Sequence, residues 1–155
     1  MEESNSLNQV AEFHRTFKHP VKDKPEIPSK ERSALRVSLL AEELKELVQA
    51  IEDNDLVEVA DALCDLQYVL SGAILEFGLG EKFKDLFDEV HRSNMSKACK
   101  SQDEAIETMN HYETVKDCKS YTKEEGELFL VYRTSDNKTL KSINYSPAKL
   151  DSILL

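Results

Sequence analysis

The stretch SKERSALRVSLLAEELKELVQAIEDNDLVEVADALCDLQYVLSGAILEFGLG, residues 29–80, decides the fold. From Ser29 to Glu52 it holds neither Gly nor Pro, and Ser29 is a residue type that caps helix N-termini. Asp53-Asn54-Asp55 reads as a turn, and Asp55 followed by Glu58 has the spacing of a capping box. A second long helix is predicted from Leu56 to Phe77, stopped by Gly78-Leu79-Gly80. On the first helix Leu40, Leu44, Leu47 and Ile51 share one ridge. The second carries Leu56, Val59, Leu63, Leu66, Leu70 and Ile74 on one side, with Ala60, Cys64 and Leu75 continuing the cover. A helix apolar nearly all round is expected to be buried, with Cys64 as a small core residue.

Working outward, residues 6–17 predict a short helix that Asn5 or Ser6 could cap, and Lys18–Pro28, holding three of the four prolines, reads as a loop. A fourth helix is predicted from Glu81 to about Met95, with Phe83, Leu86, Phe87 and Val90 on one stripe. Ser101 with Glu104 opens a fifth, running to about Val115. The β-prone runs Leu128–Tyr132 and Thr139–Tyr145, around Ser135-Asp136-Asn137-Lys138, predict a hairpin. The expectation is therefore an all-α antiparallel helical bundle over residues 1–100, followed by an accessory helix and small β-hairpin over 101–155.

Composition narrows the function. A chain of 155 residues with 40% hydrophobic content can bury a real core. No apolar run approaches the roughly 20 residues of a membrane span, and MEESNSLNQV lacks a signal-peptide pattern, so a cytoplasmic protein without a membrane partner is expected. Cys64, Cys99 and Cys118 are an odd number without CxxC spacing, which points away from disulfide frameworks and zinc knuckles. The net charge of −10 argues against duplex nucleic acid.

That charge is concentrated. Between Glu42 and Asp65 lie nine acids and a single base, Lys45, interleaved with Leu, Val, Ile and Ala. Glu42 and Glu46 line up with Leu35 and Leu39 on the first long helix, with Glu43 beside them. Glu58, Asp61 and Asp65 form one stripe on the second, continued by Tyr68 and Gly72. Carboxylates in a low-dielectric setting repel one another unless compensated. Lys45 faces elsewhere and no arginine is expected nearby, which leaves a hard divalent cation with oxygen ligands, Mg²⁺ or its substitute Mn²⁺. A solvated acidic groove is the other reading of the same spacing. Di-iron chemistry would want two Glu-x-x-His pairs, whereas the chain offers only Asp88-x-x-His91.

Glu42-Glu43-Leu44-Lys45-Glu46 resembles the EExxE motif of the all-α NTP pyrophosphohydrolases, the superfamily of MazG, dimeric dUTPases and phosphoribosyl-ATP pyrophosphohydrolase. Asp61 to Gly72 resembles the second acidic motif. Val10-Ala11-Glu12-Phe13-His14 and Glu89-Val90-His91-Arg92-Ser93-Asn94-Met95-Ser96-Lys97 fit the MazG-like, phosphoribosyl-ATP-pyrophosphohydrolase-like branch, so the resemblance spans about residues 6–97. It implies a bundle that forms homodimers or homotetramers and cleaves a nucleotide between its α- and β-phosphates with Mg²⁺, giving nucleoside monophosphate and pyrophosphate. It further implies Glu43, Glu46 and Asp65 as metal ligands and Glu42 as a further ligand or the group orienting the attacking water. The chain departs from the pattern at Ala62, where most of the superfamily has glutamate. Asp61 is the expected substitute, with Glu58 behind it.

Beside these acids, His91, Arg92 and Lys97 are candidates for phosphate contact, Asn94 for base or sugar, and Tyr68 for stacking on a base. Helix C-terminal charges and core packing are the competing readings of these residues. His14 and His111 have no partner legible in the sequence. A non-catalytic helical oligomerisation or regulatory module with a degraded metal site is the alternative that Ala62 keeps open.

Overall fold

The protein is described here by a computed structural model, which covers residue 2 and residues 4–155. The chain forms two compact units, Met1–Phe83 and Lys84–Leu155. The boundary expected near residue 100 thus falls inside the second unit.

The first unit holds α1 (Ser6–Thr16), α2 (Lys30–Glu52) and α3 (Leu56–Glu76), followed by a 3₁₀ turn, Gly80–Lys82. The Ser29 hydroxyl accepts from the Arg32 N–H at 3.3 Å and starts α2. The Asp55 carboxylate accepts from the N–H groups of Val57 and Glu58, at 2.9 and 3.2 Å, and starts α3. The helices run antiparallel, since Arg36 near the start of α2 binds Glu76 at the end of α3. Against them lies α1, whose Val10 and Ala11 are buried with Leu75 beside Leu7 and Val21.

The proline-bearing loop closes the C-terminal end of α3. Two carbonyls there, those of Leu75 and Phe77, accept from the N–H groups of Lys22 (3.0 Å) and Glu26 (3.1 Å). Gly78 makes this docking possible. Its φ is +67°, and a Cβ there would lie 1.8 Å from the Lys24 carbonyl oxygen.

The expectation that α3 is buried nearly all round is corrected. Within this unit α1 and α2 pack along it and the loop covers its C-terminal end, which leaves much of its length open. Ala62, Ile74 and Leu75 are buried, while Leu56, Val57, Leu63 and Leu70 are exposed. Cys64 is exposed too, beside Ser6 and Gln9 of α1, so it is not a core residue.

The second unit contains α4 (Phe83–Met95), α5 (Gln102–Lys116), β1 (Ser120–Glu125), β2 (Leu128–Arg133) and α6 (Asp151–Leu154). Its core joins Cys99, Ala105, Val131 and Leu140, with Met109, Tyr112, Cys118 and Phe129 packed around them. The hairpin is antiparallel, but β2 pairs with β1, not with Thr139–Tyr145. The physical cause is Gly126-Glu127, a two-residue connection whose glycine adopts φ +58° at the first central position. Thr139 makes only an isolated bridge to Tyr132. The charged, exposed β1 is an edge strand and shows little of the apolar alternation that betrays a strand. Ser101 caps α5 as expected, accepting from the Glu104 N–H at 3.2 Å.

Most of the described chain is thus helical, with one small two-stranded hairpin. No single helix among the described residues is long and apolar enough to cross a membrane.

Candidate active site

The acids of α2 and α3 face each other across the helical hairpin and divide between two depressions. Glu46, Glu58 and Asp61 line one of about 220 Å³, together with Gln49, Asp53 and Ala62. Glu43 and Asp65 line another of about 310 Å³, on the side of α1. The division follows helical geometry, since positions three or four apart drift round the helix axis. The two sets still feel each other. The Glu43 carboxyl is pushed above its usual value, first by partial burial and then by the charges of Glu46, Asp65, Glu42 and Asp61. Glu42 lies exposed on the outer side. Among the described residues no three carboxylate, histidine or cysteine groups converge closely enough to hold a cation in this arrangement of side chains. The donor chemistry nonetheless fits a hard cation, being all carboxylate and mutually repulsive.

The larger depression holds residues of a second kind. Opposite Glu43 and Asp65, its wall is made by Phe13, His14, His19, Arg32, Leu35, Arg36 and Tyr68. Two arginines therefore border the acid site, which corrects the expectation of none nearby. They lie one and two turns into α2, and the seven residues from Arg36 to Glu43 bring them onto the same face. Tyr68 meets Phe13 edge-on, with ring centroids 5.6 Å apart, so it borders the depression as a half-exposed ring.

Behind the arginines sits Glu76, with only 1% of its side chain exposed. Its carboxylate accepts from Arg32 and from Arg36. Burial alone would push Glu76 up, but hydrogen bonds from Arg36 and Arg32 outweigh it and hold the carboxyl below its usual value. Arg36 Nη2 also reaches His14 Nε2 at 3.4 Å, while His14 Nδ1 lies 2.8 Å from the Pro20 carbonyl. This pairing fits a neutral ring that donates from Nδ1 and accepts at Nε2. Burial pushes the His14 pKa down, against the Pro20 hydrogen bond, and the Arg36 charge pushes it down further. Gly72 completes the arrangement. A Cβ there would lie 2.7 Å from Arg36 Nη1 and 3.0 Å from His14 Nε2.

The remaining predicted residues lie in the second unit. Arg92 donates to Glu89 at 2.7 and 2.8 Å and to Ser146 and the Pro147 carbonyl at 3.1 Å. Together with the Lys149 N–H it holds Glu89 at a pKa of about 2. Lys97 donates to the Asn94 side chain at 2.7 Å. His91 is exposed on α4. The guanidinium of Arg92 is thus engaged in tying the C-terminal segment to α4. The residues that sequence reasoning missed are Phe13, His14, His19, Arg32, Arg36 and Glu76. Their signal was a buried acid at a helix C-terminus, where the macrodipole disfavours it and a basic partner is required.

A family model described as phosphoribosyl-ATP pyrophosphohydrolase matches residues 10–94. That span includes most of α1, all of α2 and α3 and nearly all of α4, with every residue of both depressions. The chain is also similar to "Uncharacterized protein L479" of Acanthamoeba polyphaga mimivirus, at 24% identity over 91% of this chain and 92% of that protein.

Proposed function

The chain belongs to the phosphoribosyl-ATP pyrophosphohydrolase family, a family of hydrolases acting on pyrophosphate bonds, and on that footing we propose that it cleaves a nucleoside triphosphate between the α- and β-phosphates. The products are nucleoside monophosphate and pyrophosphate. The carrying observation is the opposition of Glu43 and Asp65 to Arg32, Arg36 and two aromatic rings in one depression. Carboxylates at one end suit a cation that accompanies phosphates, and the aromatic end suits a base.

Glu43, Glu46, Asp61 and Asp65 would hold Mg²⁺, which when bound offsets the charge that develops on the phosphates. Asp61 takes the place left by Ala62, which lines the same depression and has no donor. Glu42, exposed and lining neither depression, would serve as a further ligand or orient the attacking water by accepting its proton in a hydrogen bond. Phe13 and Tyr68 hold the base, and the apolar Leu35 and Leu39 exclude water from it. The exposed Leu44, Ile51, Leu56, Val57 and Leu63 support a homo-oligomer, because they leave apolar surface of α2 and α3 uncovered within the first unit, among the described residues.

Chromatography of products from a nucleotide panel, with Mg²⁺ and with chelator, tests the reaction. Monophosphate and pyrophosphate released only with Mg²⁺ or Mn²⁺ is the expected result. Diphosphate with orthophosphate would overturn α–β cleavage. No turnover of any nucleotide would favour the non-catalytic module.

A further inference from the structure

We propose that His14 is a positioning residue of the nucleotide site and its proton sensor: the neutral ring locks α1 to α2 and to the proline-bearing loop, and a second proton undoes the lock and weakens ligand binding. The proposal rests on the nucleotide reading of the depression and adds the device that keeps its aromatic wall in place. His14 is buried where α1 meets the other elements of the first unit. Its Nδ1 lies 2.8 Å from the Pro20 carbonyl of the loop, and its Nε2 3.4 Å from Nη2 of Arg36 on α2. On α3 the bare Gly72 gives the ring its room, since a Cβ there would lie 3.0 Å from Nε2. A carbonyl can only accept and a guanidinium can only donate. Both partners are therefore satisfied by one form of the ring, the neutral one with its proton on Nδ1.

A second proton would fall on Nε2 and meet the Arg36 N–H donor to donor. The surrounding charges offer it no compensation. Arg36 faces the ring from α2, Glu76 from α3 and His19 from the loop, and Arg32 is bound to the same Glu76. Glu76 already accepts from both arginines, so protonation would set three cations around one buried acid. Burial first, and then the Arg36 charge, accordingly keep the ring's pKa below its usual value against the Pro20 hydrogen bond and Glu76. With Gly72 behind it, the charged ring is relieved by moving outward with α1. Two contacts tie that movement to the ligand. Phe13 is the preceding residue on α1, and its ring meets Tyr68 edge-on at 5.6 Å. His19 lies against the Phe13 ring at 6.0 Å, and its N–H donates to the His14 carbonyl at 2.7 Å. Unseating His14 thus opens the wall on which the base would rest. Attraction of phosphates by the added charge would act in the opposite sense. The phosphates belong to the acid end, about 10 Å along α2 from Arg36, which exceeds the Debye length of about 8 Å at physiological salt, so that attraction is largely screened.

The test uses the full chain with Mg²⁺ and whichever of the α,β-imido analogues of ATP, GTP, CTP and UTP binds most tightly. Titration calorimetry from pH 8 to 5.5 compares wild type, His14→Gln and His14→Leu. Carboxylates and phosphates titrate alike in the three chains, so the differences isolate His14. Glutamine keeps a donor and an acceptor but takes no proton. Relative to His14→Gln, wild-type affinity should fall by up to about tenfold per pH unit below the His14 pKa. His14→Leu should bind about tenfold or more weakly than His14→Gln throughout. Parallel wild-type and glutamine profiles, a relative rise of wild type in acid, or leucine equal to glutamine overturns the proposal. NMR of the wild type reads the lock without ligand and serves even should the variants fail to fold. The ring ¹⁵N shifts of His14 should show the Nδ1–H tautomer at pH 7.5, and the contact between the Phe13 and Tyr68 rings should be lost in the same titration. A proton on Nε2 at pH 7.5, or a Phe13–Tyr68 contact indifferent to that titration, overturns the proposal. Parallel profiles with tight binding would sink the proposal alone. The NMR step without binding of any analogue would sustain the lock and sink the nucleotide reading.

Discussion

Replacing Glu76 by glutamine should destabilise the first unit more than any other single loss of charge in it. The side chain is 1% exposed and serves two guanidiniums, of which Arg36 is 8% and Arg32 33% exposed. Removing one member of a buried ion pair costs about 3–5 kcal/mol, because the remaining charge stays desolvated. Arg32 is exposed enough to regain water, so the lower end, about 3 kcal/mol, is the appropriate figure. For a chain of this length that lowers Tm by about 6–12 °C if it unfolds as one, and by more if the first unit melts alone. Thermal unfolding followed by circular dichroism at pH 7 measures it. The control is Glu76→Gln with Arg36→Met, in which no uncompensated Arg36 charge remains and much of the loss should return. The sign with pH is fixed as well. Glu76 titrates below its usual value in the fold, so its contribution is present above the unfolded value and fades as pH falls through the folded one. Wild type and Glu76→Gln should therefore converge in acid. A Tm change under 2 °C at pH 7, or a double variant as unstable as the sum of its parts, would refute the account.

Glu43→Gln should raise Tm in the absence of divalent ions, since it relieves repulsion from Glu46, Asp65, Glu42 and Asp61, yet should cut turnover by orders of magnitude; a lower Tm would show that the charge is already compensated. Asp61→Asn and Asp65→Asn should each weaken Mg²⁺ binding and turnover with the fold intact, and Glu58→Gln should cost much less, as read by calorimetry and product release; the reverse order would make Glu58 the ligand. His14 binds its proton less readily in the fold than in the unfolded chain, so stability should decline as pH falls below about 6.5 and level off below the folded value. Denaturant titrations across pH 5–8 on wild type and His14→Gln check this, and parallel curves would count against it.

The helices were legible in the sequence because their signals are local. Ser29, Asp55 and Ser101 each accept the N–H bonds that their position ahead of an apolar run predicts. The hairpin partner was not, because β-prone residues say which segments are extended but not which pair, and the deciding feature was the left-handed Gly126. The exposure of Leu63, Leu70 and Cys64 was also out of reach. An apolar helix reports that cover is needed and does not say whether the same chain provides it.

The acids were found and the cations missed for one physical reason. Glu42, Glu43 and Glu46 form a dense local block, whereas Arg32 and Arg36 are ordinary helix residues until α3 brings Glu76, 40 positions beyond Arg36, against them. Pairing is what makes those arginines consequential. A lone buried arginine pair would repel itself, and a lone buried glutamate at the end of α3 would oppose the helix dipole. Together they leave one net positive charge at one end of a groove whose other end is negative. Both ends are set by the same antiparallel hairpin, since each residue gained along α2 is matched by one lost along α3. The short turn Asp53–Asp55 therefore fixes the register of the acid cluster and of the arginine cluster at once. A one-residue insertion there should disturb both together, lowering Tm through the buried pair and Mg²⁺ affinity through the acids. Loss of one without the other would show that the two clusters are set independently.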